Sequence, residues 1–285
     1  MAKLLIISAL QRSGTTALSH VLGAAPGVTR KGEIFHAARK KTDDPNYGRL
    51  HLDPTANFFT FRDKLIGKRK ALLYPSARNQ AYILDAFLDH LLDQKSDWTL
   101  VDIKYNGWHH FESIYATPGE PPALLDMLRD RGAAIIHVKR KNLLARWLSD
   151  QVAQARGQYH YDPGETPPDT RITVDPQQAI AAMEQTLHLF HRFNQWFTGF
   201  SPTLNLEYEK MFVDAALTQD TADYLGGMLG IEIAPDALRP PMDRALGDPA
   251  AAVANWDELR AALVATHFAP MAQALDGSDQ TALAA

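Results

Sequence analysis

Hydrophobic and polar positions run along this chain in two rhythms. Leu4, Leu5, Ile6 and Ile7 form an uninterrupted apolar run, the pattern of a strand buried on both faces. A polar turn follows from Gln11 to Thr16, and then Ala17, Leu18, Val21 and Leu22 fall at helix-face spacing. Residues 27–29 predict a short second strand leading into Lys31, Gly32, Glu33, Ile34 and Phe35. Leu84, Phe87, Leu88 and Leu91 keep i, i+3, i+4, i+7 spacing and predict an amphipathic helix. Residues 98–104 predict a strand with a polar end. Leu124, Leu125 and Leu128 predict a helix closed by Gly132. Residues 133–138 are a further apolar strand run, after which KRKNLLARWLSDQVAQARG turns into a long helix. Ile180, Met183, Leu187, Phe190 and Phe197 trace a core-facing helical stripe, residues 203–208 predict a strand, and the rest reads as mostly helical.

Two stretches break the rhythm. Residues 36–75 are basic and aromatic, with Arg39, Lys40, Lys41, Phe58, Phe59 and Phe61, and predict an irregular insertion with short helices. Residues 157–176 are rich in proline, glycine and aspartate and predict a mobile surface loop. No repeat and no linker divides the chain. Strands alternating with helices predict one α/β domain over residues 1–285, a central mostly parallel sheet flanked by helices, with 36–75 and 157–176 shaping a substrate site.

Composition narrows this picture by exclusion. The chain is 46% apolar and 22% charged, which excludes a disordered segment. A net charge of −4 gives no general attraction to nucleic acid, so any anion site is local. The absence of cysteine excludes disulfides, thiolate metal sites and cysteine nucleophiles. The apolar run after Lys3 is shorter than a signal peptide requires, and no stretch approaches the ~20 apolar residues of a membrane span, so a soluble cytoplasmic protein is expected.

The chemistry concentrates in QRSGTT. A strand, a glycine-containing turn and a helix start aim backbone N–H groups and a helix dipole at one point, which attracts phosphate. The loop differs from the G-x-x-x-x-G-K-[ST] loop of nucleoside triphosphatases, since it lacks the first glycine and the lysine before the hydroxyl. Arg12 instead stands at its mouth, Gly14 admits close backbone approach, and Thr15 and Thr16 supply hydroxyls. Ser and Thr here are alternatively caps of the following helix. A second anion device follows residues 133–138, where Arg140 and Lys141 precede Ser149 by nine and eight positions. Both devices would meet at the C-terminal edge of a parallel sheet, one for a 5′-phosphate group and the other for a 3′-phosphate.

That pair of motifs resembles the sulfotransferases that use PAPS, 3′-phosphoadenosine-5′-phosphosulfate. QRSGTT is similar to their 5′-phosphosulfate loop, and AIIHVKRKNLLARWLS to their 3′-phosphate element. Gly32-Glu33-Ile34-Phe35 resembles the Gly-Glu-x-Phe segment of bacterial carbohydrate-type members (trehalose- or nodulation-factor-like). NLEYEKMF resembles their Y-E-D-L/M strand end, with Lys210 in place of aspartate, and ANWDEL resembles their C-terminal Asn-x-x-Glu-Leu ending. The resemblance implies a P-loop-like, nucleotide-binding sulfotransferase fold, PAPS as co-substrate, PAP as product, and no metal. It places Arg12 beside the bridging oxygen, Ser13, Gly14, Thr15 and Thr16 around the 5′-phosphate, Arg140 or Lys141 with Ser149 on the 3′-phosphate, and Tyr208 on the adenine side.

Sulfuryl transfer demands in-line attack and a cation at the leaving oxygen, and the acceptor hydroxyl needs a base. Glu33 is the leading candidate. The K-T-H histidine of many cytosolic members is replaced here by Asn106, two residues after Lys104, with His109, His110 and His36 nearby as substitutes. Lys104 is placed to touch the sulfate or to cap a strand end. The expected acceptor is a hydroxyl of a carbohydrate, a glycolipid or another small metabolite, with Trp108 and the nearby phenylalanines available to stack on it. A homodimer is plausible by the resemblance. The competing readings are a small-molecule kinase using ATP and a nucleotide-binding or interaction module without turnover.

Overall fold

The computed structural model of the chain describes residues 2–38, 52–92, 95–111, 120–159, 161, 164–240 and 249–276. Arg39, Lys40 and Lys41 therefore lie outside the described residues, as does part of the 157–176 stretch. Five strands form one all-parallel sheet: β1 (Lys3–Ala9), β2 (Val28–Glu33), β3 (Trp98–Lys104), β4 (Ala134–Lys139) and β5 (Thr203–Glu207), in the order β2-β3-β1-β4-β5. β1 sits at the centre and is buried along six of its seven residues, as an apolar run without alternation requires. Its side chains still alternate between faces. Leu4 and Ile6 join one core, and Leu5, Ile7 and Ala9 join the other.

Helices cover both faces. α1 (Thr15–Gly23) packs on the Leu5–Ile7 face together with a later helix at Gln219–Leu229. The opposite face carries α2 (Phe58–Lys68), α3 (Ala77–Leu91), α4 (Leu124–Asp130), α5 (Leu143–Arg156) and α6 (Pro176–Thr198). The Leu84, Phe87, Leu88 and Leu91 stripe is buried in α3, and Gly132 follows α4 at φ 62°, as a helix stop after the last turn demands. The C-terminal part is helical, with Trp256–Val264 and Ala269–Leu275 packed on α6 and α5.

Within the insertion read as irregular with short helices, residues 58–68 form a helix capped by Asn57, which accepts from Thr60 N at 3.0 Å. Phe58 is buried, and Phe61, Leu65 and Ile66 pack partly buried against the same core. Three sequence expectations need correction. In α6 Leu187 points to solvent, 37% exposed, and the buried stripe runs instead through Ala179, Met183, Thr186, Phe190, Phe193 and Phe197. The strand read at residues 27–29 extends to Glu33 through a bulge between Arg30 and Gly32, where Gly32 takes φ 74°. Tyr208 belongs to the helical turn Tyr208–Met211 rather than to β5. Of the stretch read as a surface loop, Ile172 pairs with Val253 in an isolated parallel bridge, and Val174 bonds both ways with the Asn255 side chain.

Candidate active site

The sheet order sets the position of the site. The connection leaving β1 travels toward β2 and the one leaving β4 travels toward β5, so the two following helices, α1 and α5, lie on opposite faces. A crevice opens there at the carboxyl ends of the strands, where parallel α/β sheets hold ligands. The loop after β1 and the turn after β4 are its two lips.

On the first lip the backbone is wound into the left-handed region at Arg12 (φ 65°) and Gly14 (φ 76°). Gly14 is the N-cap of α1, and no side chain caps that helix. The Ser and Thr of this loop therefore do not serve as caps of α1. Ser13 is buried, 1% exposed, and its hydroxyl has no hydrogen-bond partner. A buried hydroxyl at an uncapped helix N-terminus is a donor set of the kind that suits an anion. Thr15 is buried and Thr16 half-buried in the first turn. Tyr208 closes over the loop: a Cβ on Gly14 would lie 2.7 Å from its ring carbons, so packing as well as φ demands glycine.

Cations converge on the same point. Arg12 Nε donates to Ser149 Oγ on α5 at 3.1 Å, and Nη1 donates to the Tyr159 carbonyl at 2.8 Å. Arg140 donates to the Arg12 carbonyl at 3.0 Å while its guanidinium lies 4.7 Å from the centre of the Tyr208 ring. Burial, and then the charge of Arg140, push the Arg12 pKa down, although an arginine stays charged. The two guanidiniums thus hold repulsion that an anion between them would relieve.

Lys141 faces elsewhere. Its Nζ pairs with Glu207 Oε1 at 3.2 Å, and Lys210 lies 2.8 Å from the other oxygen. The start of α5 is closed from within. Glu209 accepts from Lys141 N at 3.0 Å and Asn142 N at 2.9 Å, and the Asn142 side chain accepts from Ala145 N at 2.8 Å. The YEKM segment thereby supplies a lid from Tyr208 and a cap from Glu209.

A second cluster lies at the ends of β2 and β3. Lys104 Nζ donates to Asp102 Oδ2 at 2.6 Å and also to the hydroxyl of Thr15, so it joins β3 to the first turn of α1. Glu33 stands opposite Asp102 in the β2–β3 register and is half-buried. Burial raises the Glu33 pKa; Lys104 opposes the rise, Asp102 adds to it, and His36 opposes it. Asp102 is buried, and its Oδ1 has no hydrogen-bond partner. Sequence reasoning passed over this residue. Its signal was present, a carboxylate inside the otherwise apolar WTLVDIK strand, two residues before Lys104 and so on the same face.

The remaining candidates are placed apart. His109 is exposed and bonds through Nδ1 to the Asn106 carbonyl. His110 stacks on Phe35 at 5.4 Å, and burial together with nearby positive charge pushes its pKa down to about 4, so it is neutral at pH 7. Among the described residues neither histidine hydrogen-bonds to Glu33, Lys104 or the QRSGTT loop. Asn106 does, accepting from Gln11 at 3.2 Å. Trp108, expected to stack on an acceptor, is instead fully buried. It donates to Ser8 Oγ at 2.9 Å and packs 5.4 Å from Phe197, which removes it from any ligand surface. Phe58 packs against Phe35 and Phe87.

No protein-family model and no curated protein sequence matches the chain. Among solved structures it is similar to a sulfotransferase domain from the curacin biosynthetic pathway (TM-score 0.42, 14% identity, 99% of this chain and 93% of that one). It is also similar to sulfotransferase STF1 from Mycobacterium tuberculosis H37Rv (0.40, 14%, 83% and 70%) and to mouse sulfotransferase SULT7A1 complexed with PAP (0.40, 12%, 97% and 89%). All three of these neighbours are sulfotransferases. Likeness this distant carries no argument for activity, which rests on the site. No helix among the described residues is long and apolar enough to cross a membrane.

Proposed function

We propose that this protein is a PAPS-dependent sulfotransferase acting on a hydroxyl of a small-molecule acceptor, of carbohydrate, glycolipid or related type. The observation that carries the reading is the uncapped α1 N-terminus with the buried, unpartnered Ser13 hydroxyl beside Arg12 and Arg140. This donor set fits the phosphates of PAPS. The backbone of Ser13, Gly14, Thr15 and Thr16 would take the 5′-phosphate. Arg140 and Ser149, reached from the other lip, would take the 3′-phosphate, with Lys141 as reserve if it leaves Glu207. Tyr208, already under a guanidinium, would flank the adenine.

PAPS supplies an activated sulfuryl group. The protein supplies charge and a base. Arg12 and Lys104 would face the oxygen that bridges phosphate and sulfate and neutralise it as the S–O bond breaks. Glu33 would accept the proton of the acceptor hydroxyl as its oxygen bonds to sulfur, leaving a sulfate ester and PAP. A carboxylate whose pKa is raised by burial is a stronger base than an ordinary glutamate, which suits that role.

The ATP-dependent kinase reading is opposed by the loop itself, where no lysine precedes Ser13 or Thr15 as a triphosphate loop requires. Calorimetric titration with adenosine 3′,5′-bisphosphate, AMP and ATP-Mg²⁺ decides among these. Tight binding of the bisphosphate, weaker binding of AMP and loss of the difference in Arg140→Ala support the reading. Preference for ATP-Mg²⁺ points to the kinase. A bisphosphate site without labelled product on any acceptor points to the non-catalytic module.

A further inference from the structure

A cleft of about 700 Å³ lies between α2, the turn after it and α3, with Phe58, Ile66, Leu72, Ile83 and Leu84 in its walls. That volume is the size of a small-ligand site. Its exposed wall is mostly apolar, and several of its polar side chains are engaged within the protein. Arg62 pairs with Asp63 at 2.9 Å, and the Asn79 amide donates to the carbonyls of Ala71 and Tyr74 at 3.0 and 2.9 Å. A sugar ring buried there would exchange much of its water for aliphatic and aromatic wall, an exchange that favours a hydrocarbon occupant.

One wall of the cleft is hydrogen-bonded beside the candidate base. Phe58 N donates to the Ile34 carbonyl at 2.9 Å, one residue beyond Glu33, and the Phe58 and Phe35 rings lie 5.2 Å apart. His110, which also lines the cleft, stacks on Phe35 and stays neutral at pH 7. Phe58 and His110 thus connect the cleft wall to the β2–β3 end of the sheet edge, where Glu33 and Lys104 stand. The anion-binding lips are at the β1–β4 end, and Lys104 spans the interval through its bond to Thr15.

We propose that this cleft seats the hydrocarbon body of the acceptor, so that the substrate class is an amphipathic alcohol, a hydroxyl or sugar headgroup carried on an alkyl or alicyclic body, rather than a free sugar. The assignment of the occupant as acceptor rests on the sulfuryl-transfer reading. The existence of the apolar site does not.

Octyl β-D-glucoside below its micelle concentration, compared with glucose, separates tail from headgroup. Each buried methylene is worth about fourfold in affinity, so burial of half the tail predicts binding at least roughly 100-fold tighter than glucose. Gly67 on α2 lines the cleft and faces open space, with no atom within 4 Å of an added Cβ, so Gly67→Phe adds a ring at the cleft without a clash at Cβ. The expected calorimetric result is octyl glucoside binding in wild type, at least tenfold weaker in Gly67→Phe, with bisphosphate affinity equal in both. Glucose binding as tightly as octyl glucoside, or octyl glucoside binding unaltered in Gly67→Phe, overturns the proposal. Failure of bisphosphate to bind removes the donor reading and leaves the octyl glucoside titration to judge the cleft alone.

Discussion

Arg12 and Ser149, 137 residues apart, share a hydrogen bond of 3.1 Å across the crevice between the loop after β1 and helix α5. The bond fixes the guanidinium of the loop by a hydroxyl of the other lip, so each motif is positioned by its counterpart. Ser149→Ala should weaken adenosine 3′,5′-bisphosphate more than AMP in calorimetry. Arg12→Ala should lower kcat by roughly 100- to 1,000-fold, the usual loss of a donor aimed at developing negative charge. Equal loss for AMP and bisphosphate in Ser149→Ala would remove the 3′-phosphate role from Ser149.

Gly14→Ala should destabilise the fold in two separable parts. The left-handed backbone costs a side chain about 1–2 kcal/mol, and the Tyr208 ring at 2.7 Å adds a clash. Denaturant titration of Gly14→Ala in wild-type and Tyr208→Ala backgrounds should show the penalty reduced, but not abolished, when the ring is gone. Full additivity would mean that the ring moves aside freely.

The acidic limb of the kcat/KM profile should lie above the ordinary glutamate range, because burial and Asp102 both favour protonated Glu33. Lowering the pH through that raised value protonates the base and removes activity. Asp102→Asn deletes one of the charges that hold the value up, so the limb should shift to lower pH. Glu33→Gln should cost roughly 10²–10⁴-fold and erase the limb. A limb that stays in place in both variants would assign the base elsewhere.

His137 in β4 is fully buried, bonded to the Tyr105 hydroxyl and to Asn205 at 3.3 Å, and burial pushes its pKa down to about 3. The unfolded chain binds a proton there near pH 6.5 and the folded one does not. Folding stability should therefore be full above that value and fall as pH drops toward 3, by roughly 1.4 kcal/mol per unit from this group. Urea titrations at pH 7, 6, 5 and 4 measure the slope, which His137→Gln should flatten.

What the sequence disclosed depended on how each residue works. The strands at residues 4–7 and 133–138 were legible because burial on both faces writes continuous apolar runs. The QRSGTT loop was legible because its geometry needs glycine and hydroxyls in order. Helix α2 was legible only as a short helix somewhere in the insertion, since one residue of its Phe58, Phe61, Leu65, Ile66 stripe is buried and the others are half-exposed. Asp102 escaped because its partners, Lys104, Thr15 and Glu33, come together only through strand pairing and the return of α1. Trp108 misled, because an aromatic beside two histidines looks the same in sequence whether it faces ligand or core. Arg140 and Lys141 were inseparable by spacing, and only the turn after β4 shows that one faces the loop and the other Glu207.

The carboxylate of Glu209 occupies the amides of Lys141 and Asn142 at the entry to α5, and Asn142 caps the helix itself, while α1 at the opposite lip has no side-chain cap. Two equivalent helix ends would have accepted a two-phosphate nucleotide head-first or tail-first. Filling one with a tethered anion, held at high effective concentration by its own backbone, leaves the crevice with a direction. A nucleotide entering it would meet one phosphate cradle and one side-chain cation, and would be read in a single orientation.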